Sequence, residues 1–188
     1  MPSCKHCYQN ARHKPAPDEL STDQKLILID KMGEEYVPFL ALAGGEPLVT
    51  RDLWKVLERC TQRDLHVTLA TDGAMLTPQM CERLSAAHVN YVEVSLDSLD
   101  PQEHDEFRGM KGAWTRTVPG IRNPVAAGIR TGMACCYTRF TADALHNPVK
   151  FAIDLVLPHF LALQFHSGGT RPGNHSLGLD AGATGTVA

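Results

Sequence analysis

The chain has 188 residues, 43% hydrophobic and 21% charged, with a formal net charge of −3. That length is enough for one sizeable domain with a packed core, and the slightly acidic balance argues against the basic surface of a general nucleic-acid or membrane-surface binder. No run of about 18 apolar residues occurs and Met1 to Lys14 lacks the apolar segment of a secretory signal, so the six cysteines are expected in a reducing, cytoplasmic setting, where clustered thiols more often bind metal or do chemistry than form disulfides.

Cys4 and Cys7 come first, at C-x2-C spacing. A short turn points both sulfurs the same way, which suits a cluster, a zinc ion or a redox pair. Zinc needs four ligands, and His6 and His13 stand at poor spacing to complete them. Residues 9–19 are polar and proline-bearing, a loop. Ser21 and Gln24 then fit a capping box, opening a helix through about Met32 with Gly33 as its stop and Leu26, Ile29 and Met32 turned inward.

The apolar run Phe39 to Ala43 ends on Gly44-Gly45-Glu46-Pro47. That reads as a buried strand and a tight turn. The glycines let backbone approach a ligand closely, and the proline presets the turn. Thr50 is expected to cap the next helix, where Leu53, Leu57 and Cys60 recur at helical spacing and make Cys60 a core residue. His66 to Thr71 is a strand ending in an Asp72-Gly73 turn. Thr77-Pro78 opens another helix, with Met80, Cys81, Leu84 and Ala87 on its apolar face.

Tyr91 to Leu96 is the next strand, with Ser95, Asp97 and Ser98 at its carboxyl end. Residues 100–109 form a polar helical turn or loop, in which His104 is expected to be exposed. Asp97 is a candidate cap for that turn, and Arg108 a candidate surface partner of Asp105. Ile129 to Tyr137 is a strand containing Cys135 and Cys136, whose side chains must point opposite ways; neither is assigned a metal. A helix over 141–156 and a strand from His159 to Phe165 follow. Pro119, Pro124 and Pro148 fall in helix-like stretches, where an interior proline costs about 3 kcal/mol, so broken or shortened helices are expected. Residues 166–188 are glycine-rich, polar and aperiodic, which predicts a disordered tail.

The β-then-α alternation predicts a parallel sheet with covering helices, an open α/β layer or a barrel, over residues 1–165. Gly44 to Pro47, Thr71 to Gly73 and Ser95 to Ser98 all fall at strand carboxyl ends, where such folds place ligands.

Four pieces now stand in order at βα spacing: C-K-H-C-Y at 4–8, A-G-G-E-P-L at 43–48, A-T-D-G at 70–73, and S-L-D-S at 95–98 with H-D-E-F-R-G at 104–109. With them the chain resembles the radical S-adenosylmethionine (radical SAM) enzymes, above all the SPASM or twitch branch with extra iron–sulfur clusters in a C-terminal extension. The resemblance implies a partial (β/α)6 TIM-like barrel, lacking the family's first strand and its extension. It implies a [4Fe–4S] cluster held by C-x3-C-x2-C, whose open iron chelates SAM; one electron then cleaves SAM to a 5′-deoxyadenosyl radical that abstracts a substrate hydrogen.

Carried over by position, Cys4 and Cys7 match the second and third cluster cysteines, and the first would precede Met1. His6 takes the position beside the last cysteine. Gly44, Gly45 and Glu46, followed by Pro47, match the motif that meets the methionyl ammonium. Thr71 and Asp72 match a turn near the ribose. Ser95 matches a SAM contact within the motif that also holds Asp97, and Arg108 a partner of the methionyl carboxylate. Implied partners are an electron donor such as ferredoxin or flavodoxin and a peptide or tetrapyrrole-type substrate, without nucleic acid or membrane. The alternative is a truncated relic or SAM-binding module without a competent cluster.

Overall fold

The computed structural model describes Cys4, Cys7 and residues 19–139 and 141–165; His6 and the segment 166–188 lie outside the described residues. Helix α1 spans Thr22–Glu34, and the Ser21–Gln24 capping box forms as the sequence suggests, with both reciprocal bonds present. β1 (Phe39–Leu42) leads into a 3₁₀ turn, Pro47–Val49. There follow α2 (Leu53–Gln62), β2 (His66–Thr71), α3 (Pro78–Ala86), β3 (Val89–Ser95), α4 (Pro101–Arg108) and α5 (Ala113–Ala126). β4 (Arg130–Tyr137), a 3₁₀ turn at Ala142–Ala144, α6 (His146–Asp154) and β5 (His159–Gln164) complete the described chain. No helix among the described residues is long and apolar enough to cross a membrane.

The five strands form one sheet in the order β1-β2-β3-β4-β5, every neighbouring pair parallel. Alternation along each strand sorts the two faces. Val67 and Leu69, Val92 and Val94, and Met133 pack under the helices with Leu57, Cys60, Cys81, Leu84 and Ile121. Cys60 and Cys81 are thus core thiols, pushed up to about 11 by burial. The opposite face carries Tyr91, Glu93 and Ser95, only half-buried. The edge strands are more exposed; Phe39 on β1 and Leu161 and Leu163 on β5 all show large apolar surface.

Three local expectations need correcting. Pro119 and Pro124 do not break α5, which runs through both. Thr117, Gly120, Ile121 and Pro124 are buried along it, so tertiary packing outweighs the lost hydrogen bonds. Pro148 is the third residue of α6, a first-turn position whose N–H would be unpaired anyway. Thr50 closes the 3₁₀ turn, while Asp52 stands at the start of α2 and spends its carboxylate on Thr22 and Lys25 of α1. Residues 100–109 make a full helix, capped by Asp100, whose carboxylate accepts from the Gln102 and Glu103 N–H groups, and ended by Gly109 in the left-handed region, φ 62°.

The turn after β2 is gripped from above. Gly73 has φ +78°, and a Cβ on Gly120 of α5 would lie 2.1 Å from the Gly73 carbonyl oxygen. Only a missing side chain lets α5 settle onto that turn. Gly120→Ala is therefore expected to destabilise the fold by about 3 kcal/mol. Gly128→Ala, at φ +75° but in open space, should cost about 1–2 kcal/mol of backbone strain alone. Urea unfolding of both variants checks this; equal losses would contradict the close approach.

Candidate functional site

Parallel strands deliver their carboxyl ends to one rim, and two buried polar clusters sit there. The first is built on Glu46. Gly44, with φ 124°, turns the chain after β1, and Glu46 enters the rim 6% exposed. One carboxylate oxygen accepts from the Leu48 N–H at 3.1 Å and the Thr71 hydroxyl at 2.8 Å. The other accepts from the Asp72 N–H at 2.8 Å. Pro47 and Leu48 are buried beneath.

Thr71 also accepts from the Gly73 N–H, and Asp72 closes an Asx turn on the Ala74 N–H at 2.8 Å. The Thr117 hydroxyl of α5 donates to the Asp72 carbonyl. Glu46 is thus well supplied with donors, yet burial, with the Asp72 charge beside it, raises its carboxyl to about 7. No cationic side chain pairs with it among the described residues.

The second cluster is built on Asp97, at the end of β3 and 5% exposed. Its Oδ2 accepts from Arg108 Nε at 2.6 Å, and its Oδ1 from the Cys136 N–H of β4 at 3.0 Å. Its own N–H donates to His104 Nδ1 at 3.2 Å, and its carbonyl accepts from the Cys135 thiol at 3.4 Å. Arg108, 7% exposed, also donates from Nη1 to Cys4 Sγ at 3.9 Å. Arg108 does not meet Asp105, whose carboxylate instead accepts from the Gly112 and Trp114 N–H groups ahead of α5. Nor does Asp97 cap α4, a task taken by Asp100.

His104 corrects the sequence reading most clearly. It is 1% exposed rather than a surface turn residue. Burial lowers it to about 4, against the attraction of Asp97, so its ring is neutral and accepts from the Asp97 amide. Asp72 also acts on this ring through space, so the two clusters share one rim. The missed signal was spacing: His104 and Arg108 are four apart on one helix and must share a face.

Ser95 lies half-buried on the face of β3 that carries Tyr91 and Glu93. Cys4 and Cys7 are half-buried on one turn, with the Cys7 N–H donating to the Cys4 carbonyl at 3.3 Å. Burial pushes the Cys4 thiol up, and Arg108 opposes that. Two soft thiols on one turn beside a guanidinium suit two corners of an iron–sulfur cluster. Among the described residues no group of three or more His, Cys, Asp or Glu is arranged to hold a metal ion. Cys135 is buried and Cys136 half-buried, both pushed up to about 12 by burial and the neighbouring Asp97.

A parallel α/β sheet with glycine turns, buried carboxylates and a dithiol turn on its carboxyl rim places the chain among parallel α/β proteins of the barrel kind. Residues 2–147 match the Radical SAM superfamily, and the chain belongs to that family, whose enzymes bind a [4Fe–4S] cluster and SAM. It is 40% identical over 119 residues to an AdoMet-dependent heme synthase of Methanosarcina barkeri, covering 63% of this chain and 34% of that protein. It is 32% identical over 184 residues to an Fe-coproporphyrin III synthase of the same organism, covering 94% of this chain and 45% of that protein. In fold it is similar to Streptococcus suis SuiB bound to S-adenosylmethionine, with a TM-score of 0.77, 18% identity, and coverage of 95% of this chain and 40% of that one. Beside such relatives the sheet is a half-barrel of five parallel strands, and the chain spans between a third and a half of the curated relatives' length.

The neutral His104 has a thermodynamic consequence. Between pH 6.5 and about 4 the unfolded chain takes up a proton that the folded ring refuses, so this stabilising contribution is present above pH 6.5 and lost as pH falls through that window, by about 3 kcal/mol in all. His104→Leu orphans the Asp97 N–H, at about 1–3 kcal/mol. The wild type is therefore expected to be the more stable at pH 8, with the gap closing or reversing towards pH 4. Chemical denaturation across that range checks it, and a gap independent of pH would contradict the buried neutral ring.

Proposed function

We propose that this chain is the SAM-binding, cluster-carrying core of an enzyme that acts on a tetrapyrrole precursor of haem. One observation carries the SAM site: Glu46 is buried in a ring of donors without a cationic partner among the described residues. Such a carboxylate calls for an outside cation, and the methionyl ammonium supplies one with several N–H groups to share. Gly44 and Gly45 bring backbone oxygens close to the same group, Pro47 holds the turn rigid, and Thr71 and Asp72 lie at the next turn, beside the ribose. Ser95 faces the ligand from β3.

Cys4 and Cys7 hold two corners of the cluster, which when bound supplies the electron that cleaves SAM to a carbon radical able to take hydrogen from the substrate. A small one-electron carrier of the ferredoxin or flavodoxin kind is the donor. The tetrapyrrole reading is supported by the heme synthase and Fe-coproporphyrin III synthase relatives.

Titration calorimetry in buffers of different ionisation enthalpy tests the Glu46 assignment. A bound ammonium pulls the carboxyl down from about 7, so SAM binding should release a proton below that pH, and affinity should rise up to about tenfold per pH unit before levelling off. Glu46→Gln should remove the pH dependence and weaken binding about 10–100-fold. After anaerobic reconstitution with iron and sulfide, the wild type should form 5′-deoxyadenosine from SAM under reduction. SAM binding without that product identifies a non-catalytic SAM-binding module instead, and no SAM binding refutes the site. Turnover of a peptide in place of an iron porphyrin moves the substrate class.

A further inference from the structure

Arg108 is engaged at two of its nitrogens. Nε holds Asp97 at 2.6 Å, and Nη1 reaches Cys4 Sγ at 3.9 Å, across 104 residues of chain. Asp97 is itself immobilised from two elements. The Cys136 amide of β4 holds its second oxygen, His104 of α4 accepts its N–H, and the Cys135 thiol of β4 caps its carbonyl. All three side chains, Asp97, His104 and Arg108, are buried. A carboxylate fixed in this way fixes a planar guanidinium through it, because the fork of N–H donors is rigid where a lysine tail is not.

We infer that Asp97 and Arg108 form a strut that anchors the Cys4 sulfur, with Arg108 acting as a positioning residue for the cluster turn rather than as the anchor of the SAM carboxylate. The inference rests on the reading of Cys4 as a cluster ligand. Its physical content is a hydrogen bond from a fixed cation to a ligating sulfur. Such a bond stabilises the reduced, more negative cluster and raises its reduction potential. It also ties the dithiol turn, which reaches the barrel from far away in sequence, to the rim of β3 and β4.

The test uses the full chain and three substitutions: Arg108→Gln, Arg108→Lys and Asp97→Asn. In the metal-free protein, hydrogen exchange at the Cys7 amide, which donates to the Cys4 carbonyl, should accelerate about fivefold or more in Arg108→Gln and Asp97→Asn, while the Val67 amide of β2 stays unchanged. In the reconstituted protein, the cluster's midpoint potential should become more negative and chelators should strip its iron several-fold faster. Arg108→Lys should fall between, keeping the charge without the two-ended fork.

Unchanged Cys7 exchange with an unchanged potential overturns the strut. So does a more than tenfold loss of SAM affinity in Arg108→Gln at unchanged potential, which makes the arginine a direct SAM contact. If the wild type takes up no iron while Cys7 exchange still responds, the strut stands and the cluster reading falls. Should Arg108→Gln not fold, Asp97→Asn and Arg108→Lys decide the matter by the same readouts.

Discussion

Parallel pairing is the constraint on which the rest of this molecule depends. Every neighbouring pair of its five strands runs the same way, so each strand's carboxyl end, and each turn that follows one, emerges on one rim. Glu46 after β1, Thr71 and Asp72 after β2, and Asp97 after β3 are brought together by that geometry and not by nearness in sequence. An antiparallel sheet of the same strands would send alternate turns to opposite ends, and neither polar cluster would form.

The rim is also where burial competes with charge. Desolvation acts on Glu46, His104 and Arg108, and the partners decide what survives. Glu46 accepts three hydrogen bonds but faces Asp72, and its carboxyl rises to about 7. His104 is neutral for the same reason in mirror image, since burial disfavours its cation. Arg108 and Asp97 face each other as counter-ions at 2.6 Å, and the carboxylate holds the guanidinium protonated against burial. One half of the rim therefore holds a carboxylate short of a cation, and the other half a satisfied ion pair. That division fits a site in which one cluster meets a ligand and the other organises protein.

Family membership and fold sharpen this picture without completing it. The curated relatives extend well past the matched region, and the likeness to SuiB concerns the shape of the chain alone. What the described residues hold of the carboxyl rim is its Glu46 and Asp97 clusters. The half-exposed face with Tyr91, Glu93 and Ser95, and the apolar surface on β1 and β5, lie beyond those clusters.

Much of the architecture was legible from local chemistry. The Ser21–Gln24 box, the alternation from His66 to Thr71, and Thr77-Pro78 marked elements that form where they were expected, because caps, turns and alternation are written within a few residues of where they act. Gly44-Gly45-Glu46-Pro47 marked the turn after β1 for the same reason. The tertiary structure decided the rest. Pro119 and Pro124 remain helical because α5 buries one side against the sheet. His104 is buried because α4 lays its His104–Arg108 face against the end of β3. Arg108 finds Asp97 and Cys4 rather than Asp105 because the fold brings distant residues together while two amides ahead of α5 occupy its near neighbour. Local sequence encodes propensity and turn chemistry, whereas the partner of a buried charge depends on which distant elements exclude water around it.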